Sequence, residues 1–245
     1  MLKKLLMACA GLCSFSAAAL AGGNGLLGPS DDQSDGPYQK GSCQIRQSTL
    51  SQFQSALNGV VLLNNGGVFN PNMMWLAIVD RAGTLCLVIK SQSGPSPDPW
   101  PGSRDIAIAK ATTANAFSNN QKALSTANLY GVTQPGGSLY GLNNSNPFNP
   151  TFNAQNTGIG FVPGGIITFG GGVALYQNGA VIGGLGVSGD TSCADHAIAY
   201  RVRTKVGLNV TPVSVGADNI VYSNTGTGFT QPYCLGQGTD VVPTP

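Results

Sequence analysis

The chain has 245 residues, with twelve Lys and Arg against ten acids, a formal net charge of +2 and a single histidine. Every acid is Asp, and the basic residues are neither in excess nor clustered, so the sequence carries no electrostatic footprint for nucleic acid or an anionic membrane surface. One imidazole and no Glu also leave few routes to acid–base or nucleophilic chemistry.

Residues 1–21 read as a secretory signal peptide: Lys3 and Lys4 form the charged start, Leu5 to Leu20 the apolar run, and Ala19-Leu20-Ala21 a small-x-small cleavage site. The run is too short for a membrane anchor, so no stable membrane insertion is expected, and cleavage after Ala21 would release the chain into a periplasm or beyond. Loss of Lys3 and Lys4 brings the basic residues to ten, equal to the ten acids. Residues 22–41 are polar and Gly-rich and read as a flexible leader. Residues 42–245 then suffice for one domain with a sizeable core. Cys9 and Cys13 leave with the signal. The four that remain, Cys43, Cys86, Cys193 and Cys234, suggest two disulfides in an exported chain. Three connectivities are open, and position along the chain favours Cys43–Cys86 with Cys193–Cys234.

Leu50, Phe53, Leu57, Val60 and Val61 recur at helical spacing, with Ser48-Thr49 as the expected N-cap and Asn64-Asn65-Gly66-Gly67 as the stop. Trp75 to Lys90 reads as a β-hairpin turning at Asp80-Arg81-Ala82-Gly83. Four prolines and Trp100 make Ser91 to Ser103 a loop. Ser103 or Asp105 can cap a helix from Ile106 to about Asn119, whose alanines suit close packing on a sheet. A loop-rich stretch from Gln134 to Pro163 precedes two strands, Ile166 to Tyr176 and Ala180 to Val187, and a helix from Ala194 to Lys205. After Val206 the chain reads as irregular, with one short strand at Asn219 to Tyr222. Helix, hairpin, helix, hairpin, helix implies an α+β domain, an antiparallel sheet with helices packed on it.

The last hairpin runs into a glycine-rich corner that brings Asp190, Cys193 and His196 within seven residues. In Cys193-Ala-Asp-His196 the second cysteine of a c-type haem attachment motif is missing, and no second Cys/His pair completes a zinc site. A triad of Ser188, His196 and Asp190 or Asp195 would be cramped. The backbone amides after Val187, at the start of the last helix, suit a carboxylate.

Three segments, IVDRAGTLCLVI, RDIAIAKATTANAFS and GGVALYQNGAVIGGLGVSGD, the last followed by an acid-bearing helix, occur in this order across roughly Trp75 to Arg203. In that ordered set the chain resembles the GlcG/HbpS-like haem-binding family, related to the PduO C-terminal domain. The resemblance implies a profilin-like antiparallel sheet, haem or a related tetrapyrrole as ligand, handling outside the cytoplasm, and a homo-oligomer. A haem-ligating histidine early in the domain has no counterpart here. If haem is bound, the axial donors on offer are His196, the methionines Met73 and Met74, and the phenols Tyr130, Tyr140 and Tyr176. Propionate partners are Arg104, Lys110 and the corner Gly186, Ser188, Gly189 and Asp190. Each has a plainer role: His196 as a helix residue pairing with Asp190 or Asp195, the methionines as packing, Arg104 and Lys110 as a solvated helix face. The expectation is a binding protein for haem capture, storage or sensing. Its rivals are a haem-degrading or peroxidase-like enzyme and a metal-free module for a small organic acid.

Overall fold

Trp75, Ala77 and Val79 alternate with Leu76 and Ile78 along β1 (Trp75–Asp80), and all are buried because both faces of this strand are covered. The computed structural model describes residues 40–92, 99–152, 154, 156–209 and 217–244; the expected signal peptide and all but the end of the leader lie outside them. β1 pairs with β2 (Leu85–Lys90) on one side and with β4 (Ala180–Ser188) on the other, and β3 (Gly172–Gln177) completes an antiparallel sheet of order β2-β1-β4-β3. The first hairpin turns at Arg81 and Ala82, with the Gly83 amide bonded back to the Asp80 carbonyl.

One face of the sheet carries large side chains. Leu76, Ile78, Val173, Leu175, Leu185 and Val187 pack against Phe53, Leu57 and Val60 of α2 (Gln52–Val60) and Ile198 and Val202 of α4 (Ser192–Lys205). A short α1 (Gln47–Leu50) leads into α2. The other face carries Trp75, Ala77 and Val79 against Ala107, Ile108 and Ala111 of α3 (Ser103–Phe117). There β4 is bare: a Cβ on Gly184 or Gly186 would stand 2.1 Å from the Ala111 carbonyl oxygen or 2.0 Å from that of Ala107. The glycines let the Ala-rich helix lie directly on the strand backbone. The architecture is thus α+β, three helices on a four-stranded antiparallel sheet.

Several boundaries differ from expectation. α1 starts after Arg46 without a side-chain cap, so Ser48 and Thr49 are helical rather than capping. α3 begins at Ser103 behind Gly102, and Asp105 sits in its first turn, where a carboxylate favours the helix dipole. β3 begins at Gly172, not Ile166, because the residues before it bond elsewhere: the Ile167 amide to Thr113 Oγ1 and the Gly170 amide to Gln231 Oε1. The strand expected at Asn219–Tyr222 reduces to a single bridge between Tyr222 and Gln231. Only α4 has a side-chain N-cap bond, from the Ala194 amide to Thr191 Oγ1, among the described helices.

Disulfides join Cys43 to Cys86, tying the segment before α1 to β2, and Cys193 to Cys234, tying the first turn of α4 to the C-terminal segment. The outer edge of β3 is occupied. Gly172 bonds through its amide to Thr126 Oγ1 and through its carbonyl to the Thr126 amide, Ala174 accepts from Arg203 Nη1, and the Tyr176 amide donates to the Leu208 carbonyl. At the β2 edge, Leu85 exchanges bonds with Gly160 and Phe161. Among the described residues no helix is long and apolar enough to cross a membrane.

Candidate functional site at the strand–helix corner

β4 ends at Ser188, and the chain reverses into α4 through Gly189, whose φ is +156°. A Cβ there would stand 2.0 Å from the Met73 carbonyl oxygen, so only glycine fits. The amides of this corner do hold anions, but the anions belong to the chain. Asp190 accepts from the Val68 amide (2.8 Å), the Phe69 amide (3.0 Å), Asn72 Nδ2 (2.9 Å) and the Thr191 amide (2.6 Å). Asp195 Oδ1 accepts from the Asp190 amide at 3.0 Å. Gly186 and Ser188 lie within β4, opposite Ala77 and Trp75. The corner is a folded clamp on residues 66–72, and the amides of Asp190 and Thr191 are spent on it.

Asp195 Oδ2 accepts from Lys110 Nζ at 2.6 Å, and the same ammonium donates to the Val187 carbonyl at 3.2 Å and lies 4.9 Å from the centre of the Phe169 ring. Lys110 belongs to α3 and Asp195 to α4, so this pair links the two helical layers past the end of β3. Gly171 makes the passage, since a Cβ on it would meet Lys110 Nζ at 2.7 Å and Asp195 Cβ at 3.0 Å. Burial pushes the Lys110 ammonium down and the Asp195 carboxyl up to about 6, each against the opposing pull of its partner. Arg104 is 3% exposed and donates to the Phe152 and Thr157 carbonyls, both at 2.8 Å, pinning the loop beside α3. The solvated helix face expected for Arg104 and Lys110 is therefore wrong: both cations are buried, because each reaches acceptors on another part of the chain.

His196 is fully buried, and neither ring nitrogen has a hydrogen-bond partner. Burial pushes the imidazole down to about 4, against upward pulls from Asp218 and from the Asn219 side chain, which approaches the ring without completing a well-aligned bond. It pairs with neither Asp190 nor Asp195, whose carboxylates are bonded as above. Its ring is 6.2 Å from that of Tyr200, which like Cys193 and Arg203 lies on the same stripe of α4. The C-terminal segment crosses that stripe. Cys234 is bonded to Cys193 at one end, and at the other the Asp218 carboxylate takes both terminal nitrogens of Arg203, the Nη2–Oδ1 contact being 2.9 Å. Between them, Gln231 accepts from the Gly170 amide at 2.7 Å and donates to Ser192 Oγ at 2.9 Å, and Ile220 packs on Ala127 and Cys193. Met74 is in the core and Met73 is partly buried beside Gly189. Tyr176 is buried, its hydroxyl donating to the Asn119 carbonyl, while Tyr140 is exposed.

Four surface grooves of about 450 to 590 Å³ are described, and none is lined by histidine, methionine or cysteine. The groove of about 540 Å³ between the hairpin turn, α3 and residues 146–164 has Ala116, Pro147, Val162 and Pro163 as walls and the Arg81 guanidinium at its rim. With the C-terminal segment in place, the residues present do not fit a histidine-ligated haem, since His196 is sealed from every described groove. Asp218 and Gln231 carry much of that seal and have no sequence signature, lying in a polar, Gly-rich tail.

Residues 70–203 match the family described as haem degrading protein HbpS-like. Corrinoid adenosyltransferase PduO of Salmonella typhimurium is 35% identical over 133 residues, which is 54% of this chain but 32% of the relative. An uncharacterised 15.0 kDa protein from the dhaT–dhaS intergenic region of Citrobacter freundii is 32% identical over 123 residues, 50% of this chain and 68% of its own length. Among solved structures, a PduOC–haem complex superposes with a TM-score of 0.51 at 28% identity, covering 68% of this chain and 98% of that one.

Proposed function

The chain belongs to the HbpS-like haem-degrading protein family, and on that premise we propose that it binds haem or a related tetrapyrrole outside the cytoplasm, in capture, storage or sensing rather than turnover. The observation that carries this reading is the likeness to the PduOC–haem complex over 68% of the chain. Two disulfides support an oxidising compartment. In the disulfide-closed chain the sole imidazole faces none of the described grooves, so binding there rests on burial of the apolar macrocycle and not on a histidine ligand. When bound, haem would supply a redox-active iron. The rival reading, a small organic acid at the corner amides, is disfavoured because Asp190 and Asp195 already occupy those donors.

Hemin titration of the protein lacking residues 1–21, followed at the Soret band, tests the reading. Saturable uptake of one hemin per subunit is expected, with the same affinity in His196→Ala and a band that persists under reductant and oxygen. Featureless, non-saturating uptake would discard haem as the ligand, and a band that bleaches would make the protein a degrading enzyme.

A further inference from the structure

We propose that residues 217–244 are a cover over the chain's only imidazole, locked by Cys193–Cys234, and that a dithiol reductant opens it to make His196 available as a nitrogen donor. The segment lies beyond the family-matched residues 70–203 and is fixed at both ends of the stripe Cys193, His196, Tyr200, Arg203. His196 and Tyr200, midway between the fixed points, are 0% and 1% exposed. Neither imidazole nitrogen makes a hydrogen bond of good geometry, and the side chain that comes near enough to pull on the ring, Asn219, belongs to the covering segment itself.

The two disulfides differ in how readily chemistry can open them. Cys193 is the second residue of the fourteen-residue helix α4, where the N-terminal dipole stabilises a thiolate. Its partner Cys234 is partly exposed and accepts from the Cys193 amide at 3.2 Å. A dithiol thiolate attacks Cys234 Sγ, the Sγ–Sγ bond breaks, and Cys193 departs as the thiolate. The second thiol of the reductant then attacks the mixed disulfide, releasing Cys234 and leaving a cyclic disulfide, so two electrons and two protons pass to the cysteines. The other bridge also pairs a buried with a partly exposed cysteine, Cys86 with Cys43, but Cys86 lies within β2 and neither of the two is at a helix N-terminus. With Cys193–Cys234 open, the Arg203–Asp218 pair and the Gln231 bonds still hold the segment non-covalently, so reduction raises the fraction of time that His196 is uncovered rather than releasing the segment outright.

A single histidine makes the test clean. Carbethoxylation of His196 by diethyl pyrocarbonate, read by mass spectrometry, is expected to be at least about tenfold faster in Cys193→Ser/Cys234→Ser than in the oxidised wild type, and to stay at the wild-type rate in Cys43→Ser/Cys86→Ser. An unchanged rate in Cys193→Ser/Cys234→Ser, or a wild type that already reacts like a free imidazole, overturns the proposal. Amide hydrogen exchange on the same samples guards against general unfolding. Loss of protection confined to 217–244 and α4 supports a cover, whereas loss across β1 and β4 shows a disulfide that holds the whole fold, and the proposal fails. The use of the uncovered nitrogen by iron rests on the haem reading and is read separately. Hemin added to Cys193→Ser/Cys234→Ser is expected to give a Soret position that shifts when His196→Ala is added. No shift, with pyrocarbonate reactivity intact, removes iron as the acceptor and leaves the cover standing.

Discussion

On the side of α2 and α4 the sheet presents Leu76, Ile78, Leu185 and Val187 to large apolar partners, while on the side of α3 it presents Gly184 and Gly186 to an alanine stripe. The first side is held by area removed from water and the second by closeness of backbones. Buried cations are met on both sides, Lys110 of α3 by Asp195 and Arg203 of α4 by Asp218, whereas His196 of α4 has no such counter-charge bonded to it. A side built on area tolerates loss of volume at a graded cost, and a side built on contact cannot tolerate gain of it.

The sharpest break of this comparison is Gly186→Val. Its side chain would start 2.0 Å from the Ala107 carbonyl oxygen, and we expect at least about 3 kcal/mol of destabilisation in urea unfolding, because a helix backbone must move. Next is Asp195→Ala, which strands the Lys110 ammonium and should cost about 3–5 kcal/mol, while Asp195→Leu with Lys110→Met should come close to wild type. On the area side, Leu76→Ala should cost about 2–5 kcal/mol by the same measurement. If Gly186→Val proves milder than Leu76→Ala, α3 has room to lift and the contrast between the sides dissolves.

The smallest effect is a pH dependence. The His196 imidazole protonates near 6.5 in the unfolded chain and near 4 in the folded one. Between these values the folded state holds fewer protons, so stability falls as pH drops through that window. Asp195 acts oppositely, since its carboxyl titrates near 3.8 unfolded and about 6 folded, and its contribution rises as pH falls. Thermal unfolding of wild type against His196→Gln between these pH values isolates the imidazole. A difference that stays flat would mean that the imidazole is already solvated.

The hairpin from Trp75 to Lys90 was legible in the sequence because alternation and the Asp80–Gly83 turn are local signals. The alanines of α3 were legible as suited to close packing on a sheet, but their pairing with the β4 glycines was not. The start of β3 was not, since the Ile167 and Gly170 amides are claimed by Thr113 and by Gln231, which lies 61 residues from Gly170. The corner's glycines and amides suggested a carboxylate from outside the chain, and nothing local revealed that Asp195 and Asp190 would take the amides of Asp190 and Thr191. Lys110 looked like a surface residue because its partner is 85 residues away. Burial of His196 depends on Asp218 and Cys234, in a tail whose composition reads as irregular.

The occupied outer edge of β3 has a further result for assembly. Gly172, Ala174 and Tyr176 have turned backbone groups to Thr126, Arg203 and Leu208, so that edge offers no row of groups for an incoming strand. Strand addition between copies, if it occurs, must proceed from β2, and two such edges meeting about a twofold axis would use up the supply. Strand addition can therefore close the sheet into a pair but cannot extend it into a fibre.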